Sequence, residues 1–129
     1  MTAFQWRMTC AAALILAFAG CAKSSVPASG PAASRPIEEI AWKMIDEGAT
    51  LVDVRTDVEF QEGHLQGALN IPYDQITTRL AELPADKSRP VVLYCRSGRR
   101  SGIAQKALEE LGFTNAVNAG GYEAMMRAR

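Results

Sequence analysis

The chain has 129 residues, which suffice for one domain and hardly for two. Its 14 lysine and arginine side chains balance its 14 aspartate and glutamate side chains, so no overall basic field indicates a protein that binds nucleic acid. His64 is the single histidine, and no cluster of cysteine and histidine exists that could hold a zinc ion, so no metal is expected.

The first predicted element is an export signal over residues 1–20. It begins with one cation, Arg7, and continues with the apolar run CAAALILAFAG, which is shorter than the ~20 residues of a membrane-spanning helix. Small residues then precede Cys21, as in the bacterial lipoprotein signals that this segment resembles. The resemblance implies a lipid anchor on Cys21, and Ala22 behind it, rather than aspartate, favours the outer membrane, facing the periplasm. The alternative is ordinary cleavage after AFA, which leaves a free exported protein.

Residues 21–35 are predicted to be a flexible linker, because Ala, Ser, Pro and Gly dominate and offer little bulky apolar surface to bury. The folded domain is therefore expected over residues 36–129. Cys10 lies in the signal and Cys21 would carry the lipid, so Cys95 would be the free thiol of the mature protein. A lone thiol in an oxidising compartment is a liability unless it is buried or used.

Within the domain, segments typical of strands alternate with segments typical of helices. This alternation predicts an α/β fold in which a parallel sheet carries helices on both faces. Such sheets bind ligands at the carboxyl ends of their strands, and Cys95 follows the strand PVVLY. The predicted strands are 50–54, 67–71, 90–94 and 115–119; the predicted helices are 36–48, one turn within 56–63, then 74–83, 101–112 and 122–129.

The stretch CRSGRRSG behind this strand predicts an anion-binding loop around Cys95. Gly98 lets the backbone curl, and successive amides in such a curl form a nest for negative charge. Ser101 is expected to cap the following helix, whose N-terminus adds positive potential. A thiolate at the centre should have a pKa below its usual value of about 8.5 and act as a nucleophile. The alternative is an inert buried cysteine beside arginines that merely solubilise a loop.

Three stretches resemble the small single-domain rhodanese-like sulfurtransferases: LVDVRTDVEFQEGHLQGALNIP, VVLYCRSGRRSGIAQKALEELGF and NAVNAGGYEAM, the last with Met125 near the position where the family usually has tryptophan. The resemblance implies a five-stranded parallel sheet flanked by helices. It also implies transfer of a sulfane sulfur from a donor such as thiosulfate onto Cys95, giving a persulfide. A small acceptor, cyanide or another thiol, then takes the sulfur. No cofactor is implied, and we expect a monomer.

The resemblance assigns roles to the residues around Cys95, the nucleophile and sulfur carrier. The backbone amides of the loop would hold the thiolate and then the outer sulfur, and its three arginines would attract the anionic donor. Asp53 and Arg55 would buttress the site, through a pair between Arg55 and Glu59; a surface salt bridge is the equal alternative for that pair. His64 is expected to be a turn histidine bonded to backbone rather than a proton carrier. The substrate-binding loop residues are Arg96, Ser97, Gly98, Arg99, Arg100 and Ser101.

Loop length separates this interpretation from a cysteine-based phosphatase or arsenate reductase. In tyrosine phosphatases the closing arginine is the sixth residue after the cysteine, whereas here it is the fifth, Arg100, and Ser101 follows. The smaller ring suits one sulfur atom, and no candidate general acid is evident in the loop. A rhodanese-like module that binds or regulates without turnover is the remaining alternative, although such modules commonly lack the cysteine.

Overall fold

The computed structural model describes residues 35–129. The predicted export signal, the lipidation of Cys21 and nearly all of the predicted linker lie outside the described residues. Within residues 35–129, no helix is both long enough and apolar enough to span a bilayer.

The described residues form four α-helices, four strands and one short 3₁₀-helix. The order along the chain is α1 (Ile37–Asp46), β1 (Thr50–Asp53), α2 (Asp57–Glu62), β2 (Leu69–Asn70), a 3₁₀-helix (Leu80–Glu82), β3 (Val91–Cys95), α3 (Arg99–Glu110), β4 (Ala116–Gly121) and α4 (Tyr122–Arg127).

The sheet has the order β2-β1-β3-β4, and all three neighbouring pairs are parallel. The predicted α/β architecture is therefore confirmed. Residues 35–129 supply four strands rather than the five that the family resemblance implied, and each of the four overlaps one of the predicted strand segments.

Alternation along the two central strands sends successive side chains to opposite faces of the sheet. Val91, Leu93 and Cys95 face one cluster, which α3 completes with Ala104 and Leu108. The opposite face is covered by α1 and α4, whose Ala41 and Met125 pack with Leu51, Val92 and Tyr94. Helices thus lie on both sides of the sheet, and β3 is buried along its whole length.

The predicted helix over residues 74–83 is wrong. This segment consists of turns followed by the 3₁₀-helix. Apart from one bond from Arg79 N–H to Gln75 O, its backbone bonds join residues three apart, as from Gln75 N–H to Pro72 O. The Thr78 hydroxyl also donates to Gln75 O, and such local bonds compete with regular helix. Ile76 and Leu83 are buried nevertheless. The apolar pattern therefore predicted correctly which side chains are buried, but it predicted the wrong type of secondary structure.

Candidate active site

Cys95 ends β3 at the carboxyl edge of the sheet, and its side chain is fully buried. The chain then curls through three residues and enters α3 at Arg99. Within this curl the backbone N–H of Gly98 donates to Cys95 Sγ at 3.0 Å. The sulfur is thus held beneath the loop that the sequence predicted, with a backbone amide aimed at it.

Two opposing effects act on the pKa of the Cys95 thiol. Burial raises the pKa, because it disfavours the charged thiolate. Hydrogen bonds from the backbone amides of Ser101, Ser97 and Gly98 lower the pKa and prevail, so it lies below its ordinary value. The direction expected from the sequence is confirmed, and a lowered pKa increases the fraction of the reactive thiolate at neutral pH.

Ser101 does not cap α3, contrary to the expectation from the sequence. The cap position is Gly98, whose left-handed backbone (φ +93°) turns the chain into the helix before the serine is reached. Ser101 instead lies fully buried inside the first turn, and its hydroxyl oxygen is 3.6 Å from Cys95 Sγ. The serine is therefore part of the thiol's surroundings rather than a helix cap.

The floor of the loop is the end of β4, which was not expected from the sequence. A Cβ on Gly121 would stand 2.6 Å from the carbonyl oxygen of Arg96, and a Cβ on Gly98 would stand 3.2 Å from Gly120 Cα. The two backbones therefore touch where they cross, and side chains there would push the loop away. The sequence does show the glycine pair, Gly120 and Gly121, after Ala119. Its contact with residues 96–98, however, depends on the parallel pairing of β3 with β4.

Asn118 of β4 is a second feature that sequence reasoning missed. Its side-chain nitrogen donates to the Gly98 carbonyl at 2.9 Å, and its side-chain oxygen accepts from Gly120 N–H at 2.9 Å. The same oxygen lies 2.7 Å from the hydroxyl oxygen of Ser101. One asparagine thus joins the loop, the buried serine and the strand beneath them.

The loop arginines are not equivalent. Arg100 points back to α2, where its two terminal nitrogens donate to the two carboxylate oxygens of Glu59 at 2.7 and 2.8 Å. The hydrogen bonds that Arg100 donates to Glu59, and to a smaller extent the nearby Cys95, raise the pKa of Arg100 against the opposing effect of burial. Arg96 and Arg99 are exposed and form no ion pair with any residue of the described range.

Arg55 pairs with Asp53, not with Glu59 as the family resemblance suggested. Its Nε and Nη2 donate to the Asp53 carboxylate at 3.0 and 2.7 Å, and Nη2 also donates to the carbonyl of Gly63. The guanidinium lies over the rings of Tyr94 and Tyr122. Asp53 lies only two residues before Arg55, so the short reach favours this pair and leaves Glu59 to Arg100. The Asp53–Arg55 pair is buried, whereas the pair between Arg55 and Glu59, for which a buttress and a surface salt bridge were the alternatives, does not occur in residues 35–129.

His64 is the turn histidine that the sequence predicted. Its Nδ1 lies 2.9 Å from the carbonyl oxygen of Phe60, which can only accept, and its ring stacks on that of Phe60. No contact joins it to Cys95 in the described residues, and residues 35–129 bring together no group of three metal-ligating side chains.

An open cleft of about 280 Å³ adjoins the loop at Arg96. The remaining lining consists mostly of charged side chains, so an ionic or strongly polar substrate could approach the loop from this side. The lining residues are Arg55, Glu59, Glu62, Gly63, Arg96, Tyr122 and Glu123.

A sequence model, two curated proteins and a solved structure that resemble this chain all indicate the same kind of domain. The sequence model of the rhodanese-like domain matches residues 38–128. The thiosulfate sulfurtransferase PspE of Escherichia coli is 44% identical over 72 residues, which cover 56% of this chain and 69% of PspE. The thiosulfate sulfurtransferase GlpE of Haemophilus influenzae is 34% identical over 98 residues, which cover 72% of this chain and 91% of GlpE. A solved rhodanese with anions from E. coli superposes with a TM-score of 0.56 at 41% identity, covering 58% of this chain and 88% of that one.

Proposed function

The chain belongs to the rhodanese-like family, and on that premise we propose that it is a sulfurtransferase that carries a sulfane sulfur on Cys95. The observation on which the proposal rests is the buried Cys95 sulfur, which accepts a hydrogen bond from Gly98 N–H inside a six-residue loop. The names of the relatives PspE and GlpE support thiosulfate as a donor.

In the first half-reaction the Cys95 thiolate attacks the outer sulfur of thiosulfate. A new S–S bond forms, the old S–S bond breaks, and sulfite leaves with the electron pair, so that Cys95 becomes a persulfide. The exposed cations Arg96 and Arg99 raise the local concentration of the dianionic donor. The amides between Arg96 and Ser101 would then surround the outer sulfur of the persulfide.

In the second half-reaction a cyanide ion or a thiolate attacks the outer sulfur. The persulfide S–S bond breaks, and the electron pair returns to Cys95, which leaves as a thiolate. The Gly98 N–H, 3.0 Å from Sγ, stabilises this leaving group as it stabilised the nucleophile. Thiocyanate or the persulfide of the acceptor is released, and no cofactor enters the cycle.

Mass spectrometry of the reduced full-length protein tests the proposal. Thiosulfate should add one sulfur atom to the peptide that contains Cys95, and cyanide should remove it again. Cys95→Ser should abolish the gain without unfolding the domain, because the change in side-chain size is small. A peptide that gains no sulfur from thiosulfate in a folded sample contradicts the proposal. A persulfide that forms but passes to neither cyanide nor thiols would favour the non-catalytic binding module.

We further propose that this chemistry takes place outside the cytoplasm, with the domain tethered by a lipid on Cys21. The support is the sequence of residues 1–20, with its cation, its short apolar run and the small residues before the cysteine.

A further inference from the structure

The orientation of the Asn118 side chain is fixed by the backbone on both sides. Gly120 N–H is a donor and must face the amide oxygen, and the Gly98 carbonyl is an acceptor and must face the amide nitrogen. The flipped amide would oppose donor to donor and acceptor to acceptor. The atom that lies 2.7 Å from the Ser101 hydroxyl is therefore an oxygen that can only accept.

The Ser101 hydroxyl has one proton and three acceptors within reach. Asn118 Oδ1 is nearest at 2.7 Å, the Gly98 carbonyl lies at 3.1 Å, and Cys95 Sγ is farthest at 3.6 Å. The Gly98 carbonyl already accepts from Gly102 N–H and from the Asn118 amide. The 2.7 Å separation is the usual length of a good O–H···O bond, so the Ser101 hydroxyl donates its hydrogen bond to Asn118 Oδ1.

We infer that Asn118 is a positioning residue for Cys95: its side-chain oxygen accepts the hydrogen bond of the Ser101 hydroxyl and so withholds that donor from the sulfur. The role of this arrangement in catalysis rests on the proposed function. The geometry itself concerns the free thiol.

The purpose follows from the two halves of the cycle. A thiolate that accepts fewer hydrogen bonds is a stronger nucleophile, since nucleophilicity falls as the thiolate is stabilised. Because the Ser101 hydroxyl donates to Asn118, the resting thiolate accepts hydrogen bonds from backbone amides. When Cys95 leaves from the persulfide, the same hydroxyl can turn to the sulfur at the expense of one bond to Asn118. Asn118 thus keeps the Ser101 hydroxyl away from Cys95 when the thiolate attacks the donor, and releases it to Cys95 when the thiolate leaves the persulfide.

The charged groups around Cys95 stay the same in the test. They are Arg100 of α3, which is bonded to Glu59 of α2, and the exposed loop residues Arg96 and Arg99. Asp53 and Arg55 pair with each other against Tyr94, on the opposite face of the sheet. The third neighbouring element, β4, has no titratable side chain. Their contributions to the titration of Cys95 therefore cancel between variants that differ at residues 101 and 118.

The test compares four full-length proteins: wild type, Ser101→Ala, Asn118→Ala and the double variant. The rate of alkylation by iodoacetamide is measured against pH on the proteolytic peptide that contains Cys95, which excludes signal from Cys10 and Cys21. No sulfur transfer is needed, so failure here is distinct from failure of the proposed function. Comparing the two proteins that share Asn118→Ala removes any loosening of the loop that this change causes.

We expect Ser101→Ala to leave the midpoint of the alkylation profile within about 0.3 pH unit of wild type, since the hydroxyl proton does not serve the sulfur there. In the Asn118→Ala background the freed hydroxyl donates to the thiolate, so Ser101→Ala should raise the midpoint by about one pH unit. Equal shifts in both backgrounds, or none in either, would overturn the inference. Asn118→Leu, which keeps the shape of the side chain, replaces Asn118→Ala if that protein does not fold. A rise of about one unit for Ser101→Ala with Asn118 in place is by itself decisive against the inference.

Discussion

Glu59 of α2 and Arg100 of α3 are joined by two parallel hydrogen bonds, 2.7 and 2.8 Å long. The same carboxylate also accepts from the backbone N–H of Thr56, which closes the capping box of α2. A short helix of six residues is thus tied to the helix that follows the cysteine loop. Because this side-chain geometry is bidentate, Arg100 is held in one direction beside the sulfur and is not free to follow a substrate.

The first prediction concerns the stability of this pair. Arg100 lowers the pKa of Glu59 to about 2 from its ordinary value of 4.5, against the effect of burial and with help from Thr56. The stabilisation is therefore fully present above about pH 4.5 and is lost as the pH falls through about 2. Glu59→Gln should lower the free energy of unfolding at pH 7 by about 2 kcal/mol, and the difference from wild type should shrink toward zero near pH 2. Urea unfolding at several pH values measures it.

Glutamine suits this test because it can still complete a capping box, so the variant isolates the charged pair with Arg100. Glu62→Gln is the matched control: Glu62 lies on the same helix, is exposed, and forms no ion pair within residues 35–129. It should change stability by less than about 0.5 kcal/mol at any pH. A Glu59→Gln difference that persisted unchanged to pH 2 would show that the carboxylate's charge is not what stabilises the site.

The chemistry of the site could be predicted from the sequence where the relevant residues are neighbours in the chain. Cys95, the curl at Gly98 and the lowered pKa of the thiol all follow from eight consecutive letters. Arg100 was predicted as a candidate, but its direction was not, because a long flexible side chain has several possible partners. Its partner, Glu59, lies 41 residues away, and the family resemblance suggested Arg55 as the partner of Glu59 instead.

The contribution of β4 to the site could not be predicted from the sequence, for a different reason. Asn118 and Gly121 are unremarkable in a short strand, and their roles depend on the register that brings Gly121 opposite Cys95. A one-residue change of that register would send the Asn118 side chain to the other face of the sheet. The two central strands, β1 and β3, were predictable because each is a buried apolar run. The segment 74–83 was not, since its apolar spacing fits a helix and a chain of turns equally well.

The second prediction separates the shape of the loop from the stability of the fold. A Cβ at residue 121 would collide with the Arg96 carbonyl, so Gly121→Ala should displace the loop and reduce sulfur transfer at least tenfold. Gly48→Ala is the control: Gly48 has φ +100°, but a Cβ at this position would meet no atom within 4 Å, so the change strains the backbone without touching the site. It should cost about 1 kcal/mol of stability and leave the rate unchanged. Thermal melting and thiocyanate formation are measured on both; equal rate losses in the two variants would contradict this account of the loop floor.

The third prediction concerns the lipid anchor. In a bacterial host, radiolabelled palmitate should enter the wild-type protein, and Cys21→Ala should be unlabelled and soluble after export. Cys10→Ala serves as the control and should be labelled like the wild type, since Cys10 lies within the predicted signal over residues 1–20. Wild-type protein that is exported without label would show that ordinary cleavage after AFA is correct. Fractionation of the labelled protein then distinguishes the outer membrane, which Ala22 favours, from the inner membrane.

The fourth prediction tests the size of the ring around the sulfur. Inserting one glycine between Gly98 and Arg99 restores the spacing found in tyrosine phosphatases. It also separates Gly98, which caps α3 and donates to Sγ, from the helix that follows. Sulfur transfer should fall at least tenfold, which corresponds to about 1.4 kcal/mol of lost transition-state stabilisation. Hydrolysis of an aryl phosphate should be negligible in the wild type and at most weak in the variant, because the loop supplies no general acid.

The control for this insertion is one glycine between Ala85 and Asp86, in an exposed turn on the chain between the 3₁₀-helix and β3. Both insertions lengthen a loop, and loops tolerate added residues at small cost in free energy, so both proteins should remain folded. The initial rates of thiocyanate formation and of aryl phosphate hydrolysis are compared for wild type and both variants. The control insertion should retain the wild-type rate of sulfur transfer. If the insertion behind Gly98 retained it as well, the size of the ring could not be what adapts this site to sulfur, and the amide at Gly98 would have to act independently of the helix it caps.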